Sequence, residues 1–225
     1  MRRGVVLFAV VALGVLALSF GVSAVAGEFQ VTVTNLTRAQ QFTPILVVSH
    51  RAGVELFELG APASMELEIL AEGGATGPLE SLLLETPGVL DTAVGGGLLD
   101  PGDSKTITVD TAGRFNRVSV ASMLIPTNDA FFAVNGVRGP NGHQEIVLFS
   151  PAYDAGSEVN DESCASIPGP VCGGAGDDPA GGEGPVFVHA GIHGVGDLDP
   201  AVYDWRNPVA RISIVRVDED DEGDE

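Results

Sequence analysis

Short runs in which apolar and polar residues alternate recur along the chain. The clearest are residues 29–34, 105–110 and 210–217, where β-branched side chains occupy every second position. A period of two places such residues on one face of a β-strand. Further strand candidates are more continuously apolar and so more deeply buried: residues 45–48, 118–124, 131–134 and 145–149. Gly-Pro, Pro-Gly and Asn-Pro steps separate the runs, so the sequence predicts an all-β fold with an antiparallel sandwich or barrel.

One stretch among these strands has helical features instead. Ser64 is a candidate N-cap for a short helix that continues through Leu70. Pro78 begins a second candidate that extends to Leu84, and Gly73-Gly74 separates the two. We therefore expect one or two short helices inserted in the all-β domain and packed over an edge or end of its sheets.

The two ends of the chain differ in composition from the part between them. Arg2 and Arg3 precede an apolar run over residues 5–20, and a small-x-small sequence ends at Ala26. This pattern predicts a secretory signal peptide over residues 1–26. The alternative is an uncleaved membrane anchor, although the run falls short of the roughly 20 residues that span a bilayer. We expect residues 27–217 to form one domain and residues 218–225 to form an acidic, disordered tail.

Charge restricts the classes of partner. The sequence has 31 acidic and 11 basic residues, for a net charge of −20. Nucleic-acid binding depends on Lys and Arg that displace counterions from phosphate, so a nucleic-acid partner is not expected. No second apolar stretch is long enough to span a bilayer. The sequence therefore predicts a chain with no stable membrane insertion after signal cleavage, secreted into an extracellular or periplasmic compartment.

Export also bears on Cys164 and Cys172, which are the two cysteines of the chain. In an oxidising compartment a pair separated by a short loop predicts a local disulfide. The sequence contains no G-x-S-x-G, H-E-x-x-H or Walker signature. We therefore do not expect an enzyme.

Carboxylates in glycine-containing loops are the main candidates for a binding site. Asp129 lies in a turn just before an apolar strand candidate, and Asp154 and Glu158 lie in the sequence Tyr-Asp-Ala-Gly-Ser-Glu. Calcium takes six to eight hard oxygen ligands in flexible loops of this kind. A solvated acidic loop is the alternative interpretation in a chain this acidic.

Two segments extend this interpretation to a family. Residues 122–132 (SMLIPTNDAFF) and 153–158 (YDAGSE) resemble the spondin N-terminal domain family, in which a Met-Leu-x-Pro-Ser-x-Asp turn precedes an aromatic strand and an aromatic-Asp-Ala-Gly-Thr-Asp loop follows. The resemblance extends over about residues 28–217. It implies a C2-like antiparallel β-sandwich that holds calcium, with Asp129, Asp154 and Glu158 as its metal ligands. Glu158 stands where the family carries Asp.

A secreted calcium-binding module for extracellular adhesion or recognition is the leading functional hypothesis, with an unknown extracellular protein or glycan as partner. The alternative is a metal-dependent hydrolase. It would use His189, His193 and Asp197 around an open metal position. Two histidines four residues apart share a face only in a helix, and the glycines in and after this interval (Gly191, Gly194 and Gly196) disfavour a helix.

Overall fold

A computed structural model describes residues 26–176 and 181–218. Over these residues the chain forms eleven strands and four short helices. The strands are β1 (Ala26–Asn35), β2 (Gln41–Phe42), β3 (Ile45–His50), β4 (Val89–Gly95), β5 (Ser104–Ala112), β6 (Arg117–Ile125), β7 (Ala130–Arg138), β8 (Ile146–Ser150), β9 (Ala152–Asp154), β10 (Phe187–Val188) and β11 (Ala210–Asp218). The helices are α1 (Met65–Gly73), α2 (Gly77–Glu85), α3 (Gly169–Cys172) and α4 (Pro200–Tyr203).

The strands form two sheets. One sheet has four strands in the order β5-β1-β11-β8, and the other has seven, in the order β10-β9-β7-β6-β3-β4 with β2 paired to β6. Every pairing between these strands is antiparallel. The predicted all-β antiparallel sandwich with short helices is confirmed. None of the helices in the described part of the chain has the length and apolarity to cross a membrane.

The alternation of apolar residues sets the inner face of the smaller sheet. Phe29, Val31 and Val33 of β1 are fully buried, and Val31 stands between Ile107 of β5 and Ile214 of β11 in the ladder. These side chains form one core together with residues of β3, β6 and β7 from the larger sheet. The core between the sheets is thus the cluster that the period-two pattern predicts.

A second core explains the continuously apolar strands. Helices α1 and α2 cover the outer face of the larger sheet, where Leu67 and Leu70 pack with Leu46 and Phe131. Strand β6 is buried on both faces as a result, because one face meets the smaller sheet and the other lies under the helices. Both predicted helices are present, although they lie over a face of the larger sheet and not over an edge or end as expected. The Ser64 side chain caps α1 by accepting a hydrogen bond from the Leu67 amide.

One segment differs from what its sequence favours, and two predicted terminal segments lie largely outside the described residues. The glycine- and proline-rich composition of residues 154–185 favours a loosely ordered segment, yet Glu158, Glu162 and Ile167 are buried there and α3 forms a helical turn. The predicted disulfide joins Cys164 and Cys172 within this segment. The predicted signal peptide, apart from Ala26, and the predicted acidic tail, apart from Asp218, lie outside the described residues.

Candidate metal centre

Strand pairing brings Asp129 and Asp154 together at one end of the larger sheet. Asp129 ends the turn that follows β6, immediately before Ala130 begins β7. Asp154 is the last residue of β9, and it stands opposite Ala130 in the ladder between β7 and β9. Both carboxylates are fully buried. Two acids that are distant in sequence therefore share one enclosed corner of the fold.

Glu183 joins them from the loop that precedes β10. Strand β10 pairs with β9 so that Phe187 lies opposite Asp154, and the Gly184 amide donates to the Gly156 carbonyl at 2.8 Å. The loop passes so close that a Cβ on Gly182 would lie 2.3 Å from that same carbonyl oxygen. Glycine at position 182 is what permits this approach. It places the next side chain, that of Glu183, beside the two aspartates.

The three carboxylates form one cluster. Asp129, Asp154 and Glu183 each place an oxygen within 4.8 Å of the others, and they are the one such group of His, Cys, Asp or Glu in the residues the structure describes. The Oδ2 atom of Asp129 accepts hydrogen bonds from the amides of Ser157 (2.8 Å) and Glu158 (3.1 Å). Its Oδ1 atom is buried and has no hydrogen-bond partner among the described residues. A buried oxygen of this kind is costly unless a cation meets it.

Burial and crowding make the two aspartates hard to ionise. Burial raises the pKa of Asp129 to about 6. Burial, followed by the nearby charge of Asp129, raises the pKa of Asp154 to about 7. Both shifts arise because a desolvated carboxylate beside another carboxylate favours its neutral form. A bound cation would reverse that preference, so the cluster has an electrostatic need for positive charge.

Residues 33–144 match the family model described as Spondin_N. The chain belongs to the spondin N-terminal domain family. The family inferred from the resemblance is therefore confirmed, and the match contains the first of the two sequence segments, residues 122–132. A search of curated proteins finds no match. Spondin N-terminal domains are extracellular modules, which agrees with the disulfide between Cys164 and Cys172. The match includes Asp129 and ends before Asp154, so the rest of the cluster is assigned from geometry.

Of the three ligands predicted from sequence, this spondin domain brings Asp129 and Asp154 into the cluster. Glu158 is fully buried but lies outside the group of three. Its backbone amide donates to Asp129, and its Oε2 atom accepts from the side-chain Nδ2 atom of Asn128 at 3.4 Å. A ligand role for Glu158 stays a prediction. Sequence reasoning missed Glu183, because nothing in a glycine-rich segment marks which acid returns to the site.

Asn160 links the cluster of the spondin domain to His189. Its Nδ2 atom donates to Asp154 at 2.6 Å and to Glu183 at 3.2 Å, while its Oδ1 atom lies 2.9 Å from Nε2 of His189. The other ring nitrogen of His189, Nδ1, accepts from the Gly191 amide at 2.9 Å. Burial lowers the pKa of His189 to about 4, so its ring is neutral at neutral pH.

The structure does not gather all three residues of the alternative metal set, because His189 and His193 line one open cavity of about 370 Å³ but Asp197 does not line it. His189 uses both ring nitrogens as described above, and Asp197 accepts from the Cys164 amide at 2.9 Å. His193 is exposed, and its backbone amide donates to the carboxylate of Glu162. Within the described part of the chain these side chains do not form a ligand group. The hydrolase hypothesis therefore gains no support from the structure.

Glu162 has a structural role that sequence reasoning also missed. Its carboxylate accepts hydrogen bonds from three successive backbone amides, those of His193 (2.5 Å), Gly194 (2.8 Å) and Val195 (3.0 Å). Its own amide donates to Oδ1 of Asn128 at 3.1 Å, and its φ of 56° is positive. This acid thus anchors the glycine-rich loop against the turn that carries Asp129. Backbone amides leave no side-chain pattern by which such a role could be recognised.

Proposed function

We propose that this spondin domain is a secreted, calcium-binding module for extracellular adhesion or recognition. The observation that carries the proposal is the buried, unpartnered Oδ1 atom of Asp129 within a cluster of three carboxylates. The cluster offers only oxygen ligands, and hard cations such as calcium prefer these. Zinc and copper sites use His or Cys ligands, which this cluster lacks among the described residues.

Asp129, Asp154 and Glu183 would hold the ion, and Glu158 is a further candidate. The ion would supply the positive charge that two desolvated aspartates and a glutamate lack. The three acids come from the β6–β7 turn, the end of β9 and the loop before β10. A cation shared by these segments would fix them against one another. That end of the sandwich would then present an ordered surface to a partner.

The affinity expected for such a module is low. Extracellular calcium modules bind in the range of about 10⁻⁴–10⁻³ M, which suits an environment rich in calcium. Two of the candidate ligands must also release protons that burial has stabilised, and this lowers the apparent affinity further near neutral pH.

Asp129→Asn is the sharpest test, because the amide oxygen can replace Oδ2 and keep its hydrogen bonds while the NH2 group takes the place of Oδ1. Thermal melts and calorimetry should be run with calcium, with magnesium and with chelator. We expect calcium to stabilise the natural chain and to have no effect on Asp129→Asn, which should fold at least as stably as the natural chain in chelator.

Asp103→Asn is the matched control, since it makes the same chemical change at an exposed position outside the cluster. It should keep the full calcium response. If calcium raises the melting temperature equally in Asp129→Asn and in the natural chain, the proposed calcium site is wrong. The recognition role is tested by binding to arrays of matrix proteins and glycans with calcium and with chelator. Capture that is independent of calcium and unaffected by Asp129→Asn would contradict a calcium-dependent surface.

A further inference from the structure

A concentration of positive charge lies at the opposite end of the β6–β7 hairpin from Asp129. Four arginines line an open cavity of about 370 Å³, together with Ala52 and Asn116; they are Arg51, Arg114, Arg117 and Arg138. We call this cavity the arginine basin. Eight arginines lie beyond residue 26 in a chain whose net charge is −20, so half of them meet here.

The sheet topology places these arginines side by side. Arg117 begins β6 and stands directly opposite Arg138, which ends β7. Arg51 follows β3, whose last residue, His50, pairs with Arg117. Arg114 lies in the turn that connects β5 to β6. At about 3.3 Å per residue, β6 separates the arginine basin from the carboxylate end by about 26 Å.

Two of the four arginines of the basin donate hydrogen bonds to neutral carbonyl groups. The Nη2 atom of Arg51 donates to the Pro87 carbonyl at 3.4 Å, and the Nη1 atom of Arg117 donates to the Gly136 carbonyl at 3.1 Å. No ion pair with a carboxylate is found for these four arginines within residues 26–176 and 181–218, whereas Arg206 pairs with Asp204 and Arg211 with Glu145. No carboxylate lines the basin in this part of the chain.

Such an arrangement is unfavourable without an anion. Like charges directly opposite one another on neighbouring strands destabilise a sheet, and this applies to Arg117 and Arg138. The pKa of buried His50, which lies beside the basin, is lowered mainly by burial and in part by the charge of Arg117. Guanidinium groups bind phosphate and sulfate oxygens in a two-pronged, charge-assisted geometry. An oxyanion would therefore turn the repulsion into attraction.

We propose that the arginine basin is a binding site for a small ligand that carries a phosphate or sulfate group. We infer that the ligand is small because the net charge of −20 repels a long polyanion. A compact anion meets less of this repulsion and can contact the guanidinium groups directly. A cavity of about 370 Å³ lies in the size range of small-molecule pockets. The anion is either free or an ester on a sugar, and the two sources share the same recognition chemistry.

The test is a thermal melt and a calorimetric titration in chelator at constant ionic strength. The probes are inorganic phosphate, inorganic sulfate, glucose 6-phosphate and glucosamine 6-sulfate. We compare the natural chain with the double variant Arg114→Gln/Arg138→Gln. Both positions are exposed, and neither side chain makes a hydrogen bond within the described part of the chain, so the variant should fold. Its melt without added anion checks this directly.

We expect at least one probe to stabilise the natural chain and to bind the double variant at least tenfold more weakly. Arg38→Gln/Arg211→Gln removes the same charge elsewhere and should bind as the natural chain does. Tighter binding of the sugar esters would identify a sugar ligand, and equal binding of the inorganic ions a free anion. Equal shifts in all three proteins, or no shift with any probe, would overturn the proposal.

A shortened chain that ends at Asp218 tests whether the acidic C-terminal sequence of the protein itself occupies the arginine basin. In the sheet, Gly27 pairs with Asp218 on one side and with Thr111 on the other, three residues before Arg114. The acidic sequence after Asp218 thus follows a strand that ends on the same side as the basin. Binding of the probes only to the shortened chain would mean that this sequence is the natural occupant, and it would overturn the assignment to a small ligand.

Discussion

His189 donates its Nε2 proton to Oδ1 of Asn160 across 2.9 Å. The direction of this bond is set by the Gly191 amide, which donates to Nδ1 and so leaves the ring proton on Nε2. With its Oδ1 atom engaged, Asn160 must turn its NH2 group towards Asp154 and Glu183. A neutral histidine thereby decides which face of the asparagine meets the carboxylate cluster.

We predict that His189→Phe weakens calcium binding about tenfold, in line with the loss that follows removal of groups that orient metal ligands. Phenylalanine retains a ring beside Trp205, whose centroid lies 5.1 Å from that of His189, so the packing is largely kept. Asn160 loses the bond that orients it and can rotate its amide. Calcium titration by calorimetry measures the change.

His193→Phe is the matched control for this prediction. His193 is exposed, and its contribution to the fold is a backbone hydrogen bond to Glu162 that the substitution leaves in place. Its calcium affinity should equal that of the natural chain. An unchanged affinity in His189→Phe, or an equal loss in both variants, would show that His189 does not position Asn160.

Acidity should stabilise the metal-free protein. Burial holds the pKa of Asp129 at about 6 and that of Asp154 at about 7, whereas both titrate near 3.8 in the unfolded chain. At pH values between the unfolded pKa and the folded pKa, each aspartate keeps its proton in the folded chain but has released it in the unfolded chain. The stabilisation is thus complete below the unfolded pKa and lost as pH rises through the folded values, by up to about 1.4 kcal/mol per pH unit for each proton.

Urea unfolding in chelator at about pH 5.5 and about pH 7.5 measures this slope. Asp129→Asn removes one of the two groups and should have a shallower slope. Calcium binding should show the opposite trend, with affinity falling as pH falls, because the ion must displace the same protons. A metal-free chain that is less stable at the lower pH than at the higher, with the same slope in Asp129→Asn, would contradict the prediction.

The parts of the fold that were predicted are those in which local pattern and tertiary structure agree. Strand β1 alternates because Phe29 and Val31 point into the core, and Ser64 caps α1 as its sequence position indicates. Strand β4 was missed, because it lies at the edge of its sheet and its residues are mostly half-exposed. An edge strand with both faces partly exposed carries no clear periodicity.

The candidate site divides in the same way. Asp129 and Asp154 stand next to strands and could be recognised in sequence. Glu183 could not, because its position depends on the pairing of β10 with β9 and on the close approach at Gly182. A strand of two residues is too short to show a period, and a backbone contact at glycine has no side-chain signature.

The disulfide should strengthen calcium binding by restricting the segment between Asp154 and Glu183. The bond between Cys164 and Cys172 closes a loop within this segment, and the Cys164 amide donates to Asp197 at 2.9 Å. Shortening the free segment by roughly a quarter lowers its closure cost by only about 0.3 kcal/mol. A larger effect requires that the bond also order the backbone around Glu162, at about 1–2 kcal/mol per residue.

We predict that Cys164→Ser/Cys172→Ser weakens calcium binding more than twofold. The fractional loss of calcium affinity should exceed the fractional loss in the free energy of unfolding of the metal-free chain. Calorimetry with calcium and urea unfolding in chelator measure the two quantities on the same protein. Natural protein treated with reductant should behave as the double variant does, since both lack the bond and differ only in the side chains that remain. An unchanged calcium affinity would mean that the disulfide holds only the segment around α3, with no coupling to the carboxylate cluster.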